Sequence, residues 1–103
     1  MIVINKTTNQ TCQELLAAFF KKFPNPDLRL QAYRVLRNLI KVKFPMLGKS
    51  GGWAGGIIYA LANLYHYPCG IPGLLNQECE EFFSVSMGTI HKRAAMIRKI
   101  LTQ

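Results

Sequence analysis

Apolar side chains recur every three or four positions along most of the chain, a spacing typical of amphipathic helices. Breaks rich in proline and glycine at 24–27, 44–52 and 66–73, and a short polar turn at 84–86, separate this pattern into five segments. A chain of 103 residues is long enough for one hydrophobic core and too short for two. The sequence therefore predicts a single all-α domain over 1–103, built as a five-helix bundle.

The first two helices are predicted to be amphipathic. The first begins at Thr11, which fits a capping box with Glu14, and it ends before Pro24. The second helix runs over 28–43 and is expected to be capped by Asp27. The apolar stripe of the first helix comprises Cys12, Leu16, Phe19, Phe20 and Phe23. The apolar face of the second comprises Leu28, Ala32, Val35, Leu36, Leu39 and Ile40.

The third helix, over 53–65, has no polar face, so we expect its neighbours to bury it on all sides. Its continuous apolar run is about half the length that a membrane-spanning helix needs, and no membrane contact is predicted. Gly52, Gly55 and Gly56 indicate close helix packing, because glycine inside a helix costs about 1 kcal/mol relative to alanine. Trp53 has two interpretations, as a core anchor or as a platform on which a nucleic-acid base stacks.

The segment 74–102 has the pattern of a helix-turn-helix. Val85 is placed to fill the corner between the two helices, and the Ser86 hydroxyl is placed to cap the second one. A helix N-terminus offers unpaired N–H groups and a positive dipole end, so a phosphate is a natural ligand there. The last helix is expected to bury Ile90, Ala94, Ile97, Ile100 and Leu101. It would leave Lys92, Arg93 and Lys99 facing outward.

The chain is strongly basic, with thirteen Lys and Arg against five Asp and Glu and a net charge of +8. Residues 1–50 hold nine basic and two acidic groups, whereas residues 51–77 hold no charged group. Nucleic acid is the commonest partner of such a domain, an acidic protein is the next, and solubility alone is the third explanation. Arg34, Arg37 and Lys41 lie at i, i+3 and i+7 on one helix face, as either a phosphate-binding track or a solvated face.

The sequence indicates no enzyme, metal site or cofactor. Cys12, Cys69 and Cys79 are odd in number and lack Cys-x-x-Cys spacing, which favours a reducing, cytoplasmic setting over disulfides or zinc. Gly48-Lys49-Ser50 matches the end of a P-loop, but a helix and not a strand precedes it. His66 and Cys69 are three positions apart, without a third ligand or a carboxylate nearby, and are interpreted as a loop histidine beside a buried thiol.

Two motifs resemble known proteins. One is Gly48-Lys49-Ser-Gly-Gly-Trp53-Ala54 with the Gly-Gly-Ile-Ile-Tyr-Ala-Leu-Ala run that follows, and the other is Val85-Ser-x-Gly-Thr-Ile-x-Lys-Arg93. Over residues 10–102 the chain resembles a single cyclin-like repeat of the transcription factor IIB type, and more closely a bacterial cytoplasmic domain family of uncharacterised function. The resemblance implies a bundle around a buried central helix that ends in a DNA-contacting helix-turn-helix. The residues that it places on DNA are Ser86, Met87, Thr89, Lys92 and Arg93.

The chain departs from the ordinary helix-turn-helix pattern at two positions. Glu80 stands where the first helix usually has a small residue, and Ser84 stands where the turn usually has glycine. We expect a carboxylate at position 80 to crowd a standard helix crossing and to repel phosphate.

These observations lead to one hypothesis and one alternative. The hypothesis is a non-enzymatic, cytoplasmic nucleic-acid-binding domain, a small transcription regulator for which DNA is favoured over RNA as the partner. Its contact residues would be Ser86, Met87, Thr89, His91, Lys92 and Arg93, with Arg34, Arg37 and Lys41 on flanking phosphates. A monomer with about four to six phosphate contacts binds weakly at physiological salt, so specificity calls for a homodimer or a partner protein. The alternative is a protein-interaction module of cyclin-like fold that binds an acidic partner.

Overall fold

The computed structural model describes residues 8–64 and 75–101, and these form five α-helices with no strand among them. The helices are α1 (Thr8–Lys22), α2 (Pro26–Lys41), α3 (Ser50–Leu64), α4 (Asn76–Phe83) and α5 (Met87–Leu101). The predicted all-α class and the five helical segments are confirmed. In the described part of the chain, no helix is both long and apolar enough to cross a membrane.

The predicted starts of the first two helices are wrong. Helix α1 begins at Thr8, so Thr11 lies a turn inside the helix and cannot be its N-cap. Helix α2 is capped by Asn25, whose Oδ1 accepts a hydrogen bond from the Leu28 N–H at 3.2 Å. Pro26 explains the shift, because a proline at the first helical position makes the preceding residue the cap. Asp27 lies in the first turn, where its charge favours the helix dipole.

Helix α2 buries a narrower face than predicted. Leu28, Ala32, Val35, Leu36 and Leu39 are buried, whereas the Ile40 side chain is 44% exposed and lies off that face.

Helix α3 is the centre of the bundle and packs against all four of the other helices. Residues 51–58 and 60–62 are buried, which confirms that a central helix is enclosed by its neighbours. Trp53 is 1% exposed, and its indole N–H donates a hydrogen bond to the Leu47 carbonyl oxygen at 2.9 Å. The Phe44 ring meets the indole edge-on at 5.5 Å between centroids. Of the two interpretations of Trp53, the structure therefore supports the core anchor.

Glycines on α3 let α4 and α5 approach to backbone distance. A Cβ at Gly51 would overlap the carbonyl oxygen of Phe83, where α4 ends. A Cβ at Gly56 would lie 2.8 Å from the Arg93 Cβ and 3.1 Å from the Ala94 nitrogen. Real Cβ atoms essentially never come within 3.0 Å of such neighbouring atoms, and an approach of 3.1 Å is unusually tight, so the expected close packing at the α3 glycines is confirmed.

Aromatic rings fix α4 against α1. The Phe19 ring stacks on Phe83 at 5.6 Å and meets Phe82 edge-on at 5.7 Å between centroids. Phe23 joins the same cluster through the Phe19 and Phe82 rings. These contacts hold the short helix α4 in place, and α4 in turn positions the start of α5.

Candidate nucleic-acid interface

Three residues, Ser84, Val85 and Ser86, connect α4 to α5. Ser84 adopts the left-handed conformation, with φ 57° and ψ 37°, which glycine usually provides at a helix C-terminus. Val85 is half-buried and packs against the hydrophobic core, as its predicted place in the corner requires. The chain thus makes a tight turn between α4 and α5 without glycine.

The N-terminus of α5 is capped twice. The Ser86 Oγ accepts a hydrogen bond from the Thr89 N–H at 3.2 Å, which confirms the predicted cap. The Glu80 Oε2 accepts a second one from the Met87 N–H at 2.7 Å. The expectation that Glu80 would crowd the turn is wrong, because its carboxylate instead joins the middle of α4 to the positive end of α5.

The same caps engage two of the N–H groups at which a phosphate was expected. The N–H groups of Met87 and Thr89 already have side-chain acceptors, and the Ile90 N–H donates to the Ser86 carbonyl at 3.1 Å. A phosphate that bound the Met87 and Thr89 N–H groups would have to displace a carboxylate and a hydroxyl. The cations further along α5 are therefore more accessible to a phosphate than these capped N–H groups.

The six predicted contact residues around the start of α5 divide into two groups. Ser86, His91 and Lys92 are exposed, whereas Met87, Thr89 and Arg93 are half-buried. The exposed residues of α5 are Gly88, His91, Lys92, Ala95, Met96 and Lys99. Met96 lies against Arg93, and we call the other five the α5 outer face. Gly88, Ala95 and Lys99 were not among the predicted contacts. Their spacing around Lys92, at i−4, i+3 and i+7, is the sequence signal that places them on one face.

Arg93 lies in a groove made by three glycines. The positions that a Cβ would occupy at Gly48, Gly52 and Gly56 lie 3.0 Å from its Nη2, 3.8 Å from its Nε and 2.8 Å from its Cβ. The groove follows the side chain from its base to its guanidinium. The guanidinium sits over the Trp53 ring, 4.8 Å from the ring centroid. The prediction that Arg93 faces outward is therefore wrong.

The charge of Arg93 is held by an aromatic ring rather than by an acid. Its Nε is buried and has no hydrogen-bond partner, and its Nη1 contacts only the Met96 sulfur, at 3.9 Å, within the described part of the chain. The cation–π contact to Trp53 offsets part of the desolvation of the guanidinium. Arg93 is thus a packing residue of the α3–α5 contact.

His91 is exposed and inclined toward α3. Its ring lies 4.6 Å from the Tyr59 ring between centroids, at 44° between the ring planes. This contact fixes the edge of the α5 outer face, and the exposed Lys92 lies beside it.

The second predicted set, Arg34, Arg37 and Lys41, is exposed as expected. It lies on α2, whose main packing partners are α1 and α3, whereas those of α5 are α3 and α4. The structure therefore places the two basic sets on different helices that do not form a main packing pair.

The described side chains do not form a reactive cluster. Burial raises the pKa of the Cys12 thiol to about 12 and, with the nearby Glu80 charge as a smaller cause, that of Cys79 to about 11. Both thiols therefore stay protonated at neutral pH. No group of three or more His, Cys, Asp and Glu able to hold a metal occurs in residues 8–64 and 75–101. His66 and Cys69 lie outside the described residues.

Comparison with known proteins returned no matching family model, no matching curated protein and no matching solved structure.

Proposed function

We propose that the chain is a nucleic-acid-binding domain, a small regulator whose α5 outer face approaches the major groove of DNA. In this proposal α4, the turn and α5 act as a helix-turn-helix, and the five helices correspond to one cyclin-like repeat. The single observation that carries the proposal is the composition of the α5 outer face. It presents Lys92 and Lys99 beside the small Gly88 and Ala95, and α5 contains no acidic residue.

Small residues on an exposed helix face allow a close approach to a nucleic-acid surface. Gly88 and Ala95 project little beyond the backbone, so Lys92 and Lys99 can reach phosphates or base edges on either side of them. His91 adds a donor at the edge of the same face. Of the sequence-predicted contacts, Ser86, His91 and Lys92 remain proposed contacts, while Met87, Thr89 and Arg93 support the helix from its inner side.

DNA is favoured over RNA on geometric grounds. The major groove of B-form DNA admits an α-helix, whereas that of A-form RNA is too narrow and deep for side chains to read. The two caps on α5 favour DNA binding because they fix the start of the helix before it enters the groove. Less conformational entropy is then lost on binding.

The α2 cations contribute at long range in this proposal. Arg34, Arg37 and Lys41 strengthen the positive field that attracts a polyanion, and this effect weakens with salt. Direct contacts come from α5, and specificity at physiological salt calls for a homodimer or a partner protein.

The test is a fluorescence-anisotropy titration of labelled duplex and single-stranded oligonucleotides of about 20 nucleotides, at about 50 mM and about 150 mM salt. Wild-type protein is compared with Lys92→Glu/Lys99→Glu on α5 and with Lys21→Glu/Lys22→Glu on α1. The two variants lose the same net charge, so a difference between them reports position and not total charge.

We expect duplex binding that weakens steeply with salt and is largely lost in the α5 variant, while the α1 variant retains most of it. The expected salt slope falls by about 2 in the α5 variant, one for each phosphate contact removed. Equal losses in the two variants, or no binding at about 50 mM salt, would show that α5 is not the binding element.

A further inference from the structure

Exposed large apolar side chains are concentrated on α2 and the segment that follows it. Of the six such side chains in the described part of the chain, four are Leu30, Ile40, Val42 and Leu47, with exposed fractions of 52%, 44%, 56% and 73%. A single exposed leucine on a small protein needs no explanation, and an interaction surface is indicated only where exposed apolar side chains adjoin other groups that a partner can bind.

One of them lies in line with the α2 cations. Leu30, Arg34, Arg37 and Lys41 follow one another at i, i+4, i+7 and i+11, so they occupy successive turns of one exposed helix face. We call these four residues the α2 outer face, and it extends for about 16 Å along the helix. Ile40, at its edge, adds a second apolar side chain.

No acid interrupts the α2 outer face. The only acidic residue of α2 is Asp27, in its first turn. Within the described residues no hydrogen bond, ion pair or ring contact engages the side chain of Arg34, Arg37 or Lys41. Like charges on successive turns repel one another, and an anionic partner would relieve that repulsion.

We propose that the α2 outer face docks an acidic amphipathic helix of a partner protein. The carboxylates of such a helix would pair with Arg34, Arg37 and Lys41, and its apolar residues would cover Leu30 and Ile40. The 16 Å length of the face corresponds to a partner helix of about 12 residues.

The apolar residues decide between this partner and nucleic acid. A phosphate backbone would neutralise the three cations but would leave Leu30 and Ile40 in water. An amphipathic helix satisfies both parts of the surface, because its burial of apolar area adds to the charge pairing. The proposal goes beyond the α5 interface and does not depend on it.

The test uses a fluorescein-labelled synthetic helix of about 14 residues, with Leu at i, i+3, i+4 and i+7 and Glu at most of the other positions. A scrambled peptide of the same composition is the control, because it carries the same charge without an apolar face. Anisotropy titrations at about 150 mM salt compare wild-type protein with Leu30→Ser, Arg34→Glu/Arg37→Glu and Lys21→Glu/Lys22→Glu.

We expect the amphipathic peptide to bind and the scrambled peptide to bind at least about tenfold more weakly. Leu30→Ser should weaken binding about tenfold, because the leucine no longer transfers from water into an apolar contact. Arg34→Glu/Arg37→Glu should weaken it by about tenfold or more, and the α1 variant should lose much less. No binding of the amphipathic peptide, equal binding of the scrambled one, or insensitivity to Leu30→Ser would overturn the proposal.

Competition with a DNA duplex separates this proposal from the α5 interface. We expect the peptide to stay bound when duplex is added, and duplex binding to survive Arg34→Glu/Arg37→Glu. A duplex that displaces the peptide and itself depends on Arg34 and Arg37 would identify α2 as a phosphate-binding track and overturn the docking proposal. Peptide binding by a protein that binds no duplex would support docking while rejecting the proposed function.

Discussion

Arg93 and Arg37 carry the same guanidinium group in opposite surroundings. Arg93 lies along glycines of α3 with its charge over the Trp53 ring, whereas Arg37 stands in solvent on the α2 outer face. Both residues belong to basic stretches that look equally available in the sequence. The difference between them comes from what each helix packs against, and not from the residue type or its neighbours along the chain.

The contrast between the two arginines shows how a cation becomes part of the contact between two helices. The α3 glycines bring α5 so close that the Arg93 stem fills space that a larger α3 residue would occupy. On α2 the packed side consists of larger apolar residues, and the cations remain on the opposite side. Four sets of substitutions test this contrast, from the largest expected effect on stability to the smallest.

Gly51→Ala should be the most damaging small change. Its methyl group would overlap the Phe83 carbonyl oxygen and force α3 away from α4, at an expected cost of about 3 kcal/mol in the free energy of unfolding. Gly88→Ala is the matched control, since its Cβ would meet nothing closer than the Ser86 Oγ at 3.7 Å. Gly88→Ala should gain about 0.5 kcal/mol through helix propensity. Chemical denaturation of the two variants measures the difference, and similar stabilities would contradict the close α3–α4 contact.

Arg93→Ala and Arg93→Met test whether Arg93 is a packing residue. Alanine removes the stem from the glycine groove and should cost about 2 kcal/mol in the free energy of unfolding. Methionine keeps an unbranched stem and removes a buried nitrogen without a partner, so its cost should be below about 1 kcal/mol. Lys92→Ala, at the exposed neighbouring position, should stay within about 0.5 kcal/mol of wild type. An Arg93→Ala variant as stable as Lys92→Ala would show that the groove contributes nothing.

Glu80→Ala should cost about 1 kcal/mol, because the Met87 N–H loses its acceptor and the positive end of α5 loses a charge. Glu81→Ala removes an equal charge from the same helix. Glu81 is exposed and accepts a 3.3 Å hydrogen bond from the Gln77 side chain, so that variant should lose less than about 0.5 kcal/mol. Thermal unfolding of the pair distinguishes the cap from a general charge effect, and equal losses would refute the cap.

Arg37→Gln should have the smallest effect. Replacing one of three like charges on the α2 outer face relieves repulsion and removes no packing, so stability should stay within about 0.5 kcal/mol of wild type. A loss above about 1 kcal/mol would mean that the α2 cations are structural, as Arg93 is.

Local patterns made much of the fold predictable. The five helices, the buried third helix and the Ser86 cap depend on spacing, breakers and residues within one turn of each other. The glycines of α3 also indicated close packing, because glycine has a poor helix propensity and a tight contact must compensate for it.

The features that escaped prediction depend on contacts between distant residues. The Glu80 carboxylate reaches the Met87 N–H across the turn. The sequence shows only that the two residues are seven positions apart, and not that the turn brings them together. Arg93 folds back on α3 because of glycines roughly forty positions earlier in the chain. The Asn25 cap was missed for a different reason, since Pro26 was treated only as a breaker and not as the first residue of the helix.

The most direct test of the proposed interface is a two-dimensional ¹H–¹⁵N NMR titration of the full chain with a DNA duplex of about 20 base pairs. We expect the largest chemical-shift changes on the amides of Gly88, Lys92, Ala95 and Lys99. The Nε–H chemical shift of Arg93 should not change, because its guanidinium stays over the Trp53 ring. Chemical-shift changes centred on α2, or a large change at Arg93 with little change on the α5 outer face, would contradict the proposed α5 interface.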